Sequence, residues 1–194
     1  MSAATPTSEA QPGGRLPIVG VMGSGGDAHD ELARPLGRWL AYQEVHLLTG
    51  GGRGAMEAVS RAFHGVSPRR GLVIGILPGS DVEGAPPLGY PNPWIEVSIR
   101  THLPARGQRG SDPDSRNHVN VLSSDVVIAL PGGPGTASET ALALDYGRPV
   151  VAWRPAGTDP TLPADTRQVP TFVEVQAFVR SHLNRLAAQT RGLA

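Results

Sequence analysis

Pro131-Gly132-Gly133-Pro134-Gly135-Thr136 directly follows an apolar run, Asp125–Leu130 (DVVIAL). A helical pattern then begins, with Ala137, Ala141, Leu142 and Leu144 as its apolar positions. Strand, glycine-rich turn and helix in that order present bare backbone N–H groups and a helix N-terminus to an anion, usually a phosphate. Gly132, Gly133 and Gly135 let the backbone come close to a ligand. Two further glycine loops end apolar runs, Gly23-Ser24-Gly25-Gly26 and Thr49-Gly50-Gly51-Gly52-Arg53-Gly54. In an open parallel sheet all three loops lie at the carboxyl edge, where ligands bind at the switch point. They read as the floor of a nucleotide or phosphosugar site. Thr136-Ala-Ser-Glu139 also has the spacing of a capping box, with Thr136 as N-cap and Glu139 reaching back to its amide.

The elements that must position these loops alternate along the chain. Leu16–Met22, Val45–Leu48, Leu72–Leu77, Ile95–Ile99, Asp125–Leu130 and Pro149–Trp153 read as strands. Helices are expected over Asp30–Tyr42, Ala55–His64, Arg116–Leu122 and Thr171–Gln189, with one more after the central turn. Pro35 implies that the first of them is kinked or starts late. Asp81–Trp94, Leu103–Asp114 and Arg154–Val169 read as loops, the second of them mobile. Strands alternating with helices predict a single α/β domain over 16–194: a Rossmann-like, doubly wound parallel sheet with right-handed crossovers. Residues 1–15 are small, polar and rich in proline and glycine, which predicts a disordered tail and no signal peptide.

Composition narrows the chemistry. The chain has 194 residues, enough for one α/β domain, and its 17 basic and 17 acidic residues cancel. No basic excess points to nucleic acid or an anionic membrane, and no apolar run reaches spanning length, so a cytoplasmic protein is expected. Cysteine is absent, and the six histidines form no H-x-x-x-H pair, so neither a disulfide nor a zinc site is expected. Every basic residue is arginine. Without lysine there is no Schiff base to pyridoxal phosphate and no Walker A loop, and cationic work falls to bidentate guanidinium groups.

Two nucleotide patterns compete. Gly23-Ser-Gly25-Gly-Asp-Ala28 fits the dinucleotide form G-x-G-x-x-A, but Thr49-Gly50 stands where the ribose-binding acid belongs, which disfavours NAD. Pro131-Gly-Gly-Pro-Gly-Thr-Ala-Ser-Glu139 matches P-G-G-x-G-T-x-x-E, the signature of the Lonely Guy (LOG) family, Rossmann-like proteins long mislabelled lysine decarboxylases. The arginine that this family carries fifteen residues before the signature is Arg116 here. Gly20-Val-Met-Gly-Ser-Gly, Thr49-Gly-Gly-Gly-Arg-Gly-Ala-Met56 and Ile74-Gly-Ile-Leu-Pro78 also resemble the family, in the same order, so the likeness spans Pro17–Trp153.

The resemblance implies a phosphoribohydrolase, which cleaves a nucleoside 5′-monophosphate to free base and ribose 5-phosphate. Glu139 and Arg116 would be the catalytic pair. Gly23, Ser24, Gly51, Gly52, Gly132, Gly133, Gly135, Thr136 and Asn117 would hold the nucleotide and its phosphate. No metal or cofactor is called for, and a homodimer is implied, with helices near the central stretch at its interface. Where LOG enzymes follow the arginine with lysine, this chain has Asn117, closer to the branch that includes the molybdenum-cofactor carriers. That branch implies the alternative of a non-catalytic carrier of molybdenum cofactor or a related phosphorylated ligand. A nucleotide-sensing regulator is a third reading. Outside the pair, His118 is expected to be a surface or packed residue, and Arg53 either meets ligand or sits in a turn.

Overall fold

A computed structural model describes residues 15–80 and 87–192. The expected tail, except Arg15, lies outside the described residues, as does the 81–86 part of the proline-glycine loop. Seven strands form one parallel sheet: β1 (Ile18–Met22), β2 (His46–Thr49), β3 (Val73–Leu77), β4 (Val97–Arg100), β5 (Val126–Ala129), β6 (Val150–Trp153) and β7 (Arg167–Val169). Their spatial order is β4-β3-β2-β1-β5-β6-β7. The order reverses between β1 and β5, whose register pairs Met22 with Ala129. The expected fold class holds. β7 corrects the reading of 154–169 as loop throughout: its three residues, Arg-Gln-Val, pair at the sheet edge with Val151–Trp153 and carry too little apolar pattern to stand out.

Among the described residues five helices cover the sheet: α1 (Asp30–Ala41), α2 (Ala55–His64), α3 (Asn117–Ser123), α4 (Pro134–Asp145) and α5 (Phe172–Gly192). Alternation along the strands divides the core. Val19 and Val21 of β1 and Val126 and Ile128 of β5 face α1, α2 and α5, meeting Leu36, Leu40, Val59, Phe63, Val175 and Val179. Met22 and Val127 face the other way, toward Val121 of α3 and Leu142 and Ala143 of α4. α1 does not start late; it begins at Asp30 and carries Pro35 inside. Packing of Leu32, Leu36 and Leu40, each at most 5% exposed, outweighs the one backbone hydrogen bond proline removes.

Segment 103–114 carries local structure. It contains a 3-10 turn at Gly107–Arg109, and Arg109 bridges Asp112 at 2.7 Å and Asp114 at 3.2 Å. Ala105 pairs with Ser115, returning the chain to the start of α3.

Candidate functional site

The switch point between β1 and β5 sets the site. The amide of Ser24, after β1, donates to the carbonyl of Pro131, after β5, at 3.1 Å, and Ser24 in turn accepts from the amide of Ala55 at 2.9 Å. Three carboxyl-edge loops are thus tied together. Ser24 Oγ accepts from the amides of Gly26 and Asp27 at 3.1 and 2.9 Å, which satisfies part of the first loop internally and leaves the hydroxyl proton for a ligand. A cleft of about 360 Å³ opens above, within the size range of small-molecule sites.

Of the residues singled out by sequence, Gly23, Ser24, Arg116, Asn117, Gly133, Gly135, Thr136 and Glu139 all line this cleft. Gly51, Gly52 and Gly132 do not; they shape its walls. The Gly51 amide donates to Thr49 Oγ1 at 3.1 Å, and the Gly51 and Gly52 carbonyls accept from Asn92. Gly132 admits Thr136 Oγ1 against its α-carbon, where a Cβ would collide. Arg53 packs by Gly89 outside the lining, and His118 is held by Tyr146 Oη at 2.7 Å and the Asp112 carbonyl at 3.0 Å. Gly25 and Pro134, from the first and third glycine loops, line it as well, and Met56, Tyr90, Arg106 and Gly107 complete the lining. Met56 closes the Thr49–Met56 motif, whereas only tertiary contact brings in Tyr90, Arg106 and Gly107, which come from loops without motif spacing.

The capping-box reading of Thr136 and Glu139 is overturned. Pro134 takes the first helical position and Gly133 is the N-cap, with no side-chain cap. Proline suits that position because its missing N–H would have no helical partner. The helix therefore starts upstream of Thr136, and Glu139 lies in the second turn with its carboxylate turned into the cleft.

There Glu139 meets two side chains. Asn120 Nδ2 donates to Glu139 Oε1 at 2.7 Å, and Arg116 Nη1 stands 3.7 Å from the same oxygen. Arg116 is 4% and Glu139 7% exposed. Burial pushes the Glu139 carboxyl above its ordinary range, and the pull of Arg116 and the Asn120 hydrogen bond offsets that only in part. Arg116 lies flat on Gly50, where any Cβ would strike the guanidinium. Its Nε and Nη1 have no hydrogen-bond partner among the described residues. A buried guanidinium with unmade hydrogen bonds beside a helix N-terminus has the donor chemistry that suits an anion.

Asn117, where LOG enzymes have lysine, holds a loop. Its Nδ2 donates to Ser138 Oγ at 3.1 Å, and both groups pack against Gly110. No group of three or more metal-ligating side chains occurs among the described residues, and no described helix is long and apolar enough to cross a membrane.

The profile of the SLOG cluster4 family matches residues 16–180. The chain belongs to that family. Among relatives of this SLOG protein, an uncharacterised protein of Archaeoglobus fulgidus is 31% identical over 144 residues, 73% of this chain and 82% of its own. The cytokinin riboside 5′-monophosphate phosphoribohydrolase of Rhodococcoides fascians is 30% identical over 142 residues, covering 72% of this chain and 64% of that one. The molybdenum cofactor carrier protein of Chlamydomonas reinhardtii is similar in structure, with a TM-score of 0.67 at 32% identity over 88% of this chain and 99% of that one. The molybdenum cofactor binding protein of Rippkaea orientalis gives 0.58 at 32% identity over 88% and 86%. The SLOG chain is thus LOG-like, with the carrier-like kinship that Asn117 points to.

Proposed function

We propose that the protein hydrolyses the N-glycosidic bond of a nucleoside 5′-monophosphate, releasing free base and ribose 5-phosphate. The observation that carries this reading is the buried Glu139–Arg116 pair beneath a glycine turn. The 5′-phosphate rests on the first turn of α4, against the amides of Gly133 and Gly135 and the Thr136 hydroxyl, with Ser24 Oγ donating from the opposite loop. Arg116 offers its unpartnered N–H groups to ribose or phosphate oxygens. Water then adds across the bond: its hydroxyl goes to C1′ and its proton ends on the departing base. Positive charge grows on the ribose ring as the bond breaks, and the Glu139 carboxylate stabilises it or takes the proton of the attacking water.

Homodimer formation accompanies this reading. Val97 and Ile99 of β4 stand beside Ile74 and Ile76 of β3 on one face of the sheet, and they are 37% and 43% exposed. A second copy would cover these exposed apolar side chains.

A second reading has its own support. Asn117 replaces the family lysine, and the similar structures include molybdenum cofactor carriers, so a phosphorylated ligand could be held without turnover. Incubation with a panel of nucleoside 5′-monophosphates separates the two. Release of base and ribose 5-phosphate by wild type but not by Glu139→Gln supports the hydrolase. Binding without release supports the carrier.

A further inference from the structure

Three lining residues take no part in holding phosphate or in the Glu139 chemistry: Met56, Tyr90 and Arg106. Met56 is 8% exposed yet belongs to none of the apolar clusters of the core. It meets Tyr90 over Gly52 instead: a Cβ there would lie 2.9 Å from Met56 Cε and 3.0 Å from Tyr90 Oη. Arg106 completes the wall, its guanidinium carbon 6.0 Å from the centre of the Tyr90 ring.

Both loops that supply this wall are latched. Asn92, 3% exposed, donates from its backbone to the Gly51 carbonyl at 2.8 Å and from its side chain to the Gly52 carbonyl at 2.9 Å. Tyr90 is therefore set two residues from a point fixed to the loop after β2. Arg106 sits between the Ala105–Ser115 bridge and the 3-10 turn, whose Gly107 backbone packs beside Gly135 at the start of α4.

We infer that Tyr90, Arg106 and Met56 form a stacking subsite for a flat nitrogen heterocycle carried by the phosphorylated ligand. This rests on the phosphate-site reading above and assigns the other end of the same ligand. An aromatic face, a guanidinium plane and a polarisable thioether are the three side-chain types that hold heterocycles without reading their edges. Purine and pyrimidine bases share this chemistry with pterins. The subsite accordingly selects ligands that have a ring over those that have only a sugar phosphate.

The test is calorimetric titration of the full chain with ribose 5-phosphate, adenosine 5′-monophosphate and 6-hydroxymethylpterin phosphate. Ring-bearing ligands should bind wild type at least about tenfold more tightly than ribose 5-phosphate. Tyr90→Leu should erase that advantage while ribose 5-phosphate binds as before, and Tyr90→Phe should keep it. Arg106→Gln should reduce it in part. Whichever ring shows the advantage identifies the source of the heterocycle. An advantage that survives Tyr90→Leu, or a loss shared equally by ribose 5-phosphate, overturns the subsite and leaves the phosphate reading standing. Failure of all three ligands to bind overturns both.

Discussion

Asn120 and Arg116 address the same oxygen of Glu139, one as a hydrogen-bond donor at 2.7 Å and the other as a charge at 3.7 Å. The two act differently. Asn120 fixes where the carboxylate points, and Arg116 keeps several donors free for ligand. Asn120 is one turn along α3 from Arg116, so a single short helix places both groups against α4.

Asn120→Leu removes the donor and leaves the charge. On the proposed reaction it acts as a positioning change: kcat/KM falls about tenfold and the acid limb of the pH–rate profile moves to higher pH. A pH–rate profile of the variant checks both, because a purely structural role would not move the limb.

Glu139→Gln should lower kcat by at least about a hundredfold with nucleotide binding retained. It should also change the pH dependence of stability. The native Glu139 carboxyl holds its proton at pH values where the unfolded chain has released it. Its stabilising contribution is therefore complete below the unfolded pKa and is lost as pH rises through the raised folded one. Unfolding midpoints of wild type should fall relative to Glu139→Gln across that window, measured by thermal melts.

Asp125 gives the opposite sign. Burial alone would raise its carboxyl, but Arg15 and the Ile18 amide, both bonded to it, bring it below the ordinary range. Its contribution is present above the unfolded pKa and lost as pH falls through the folded one. Arg15→Ala should cost at most about 1 kcal/mol, since that arginine is exposed. Asp125→Ala should cost about 1–3 kcal/mol, because the Ile18 amide loses its acceptor. Urea unfolding of the two variants distinguishes them.

Gly110→Ala should loosen the loop that carries Arg106. A Cβ there would lie 2.6 Å from Asn117 Nδ2 and strike Ser138 Oγ. The expected cost is about 1–3 kcal/mol by thermal unfolding, with weaker nucleotide affinity alongside.

Ile99→Lys should shift the protein toward monomer by placing charge among the exposed apolar side chains of β4, beside β3. Light scattering after size exclusion reads the result directly.

What the sequence made legible was local. DVVIAL followed by glycines forces a buried strand into a tight turn, and β5, α4 and the cleft floor follow from it. Glu139 was legible as a residue of interest, but its direction depended on Pro134 taking the helix start, which turns the side chain from the cap toward Arg116. Proline at N1 was the available signal. Tyr90 and Arg106 carry no periodicity and reach the cleft only through latches such as Asn92, whose partners are distant in sequence. β7, three residues long and partly polar, forms because β6 offers it an edge.

The Ser24–Pro131 hydrogen bond marks a seam between the first half of the sheet, β1 to β4, and the second, β5 to β7. A ligand seated on both loops, as proposed above, would act as a clasp across it. Its binding energy is added to the work of parting the halves, in proportion to the logarithm of its concentration over Kd. The unliganded chain is then the form most exposed to proteases. Cellular abundance of the protein should rise and fall with supply of the ligand, quite apart from any control of its synthesis.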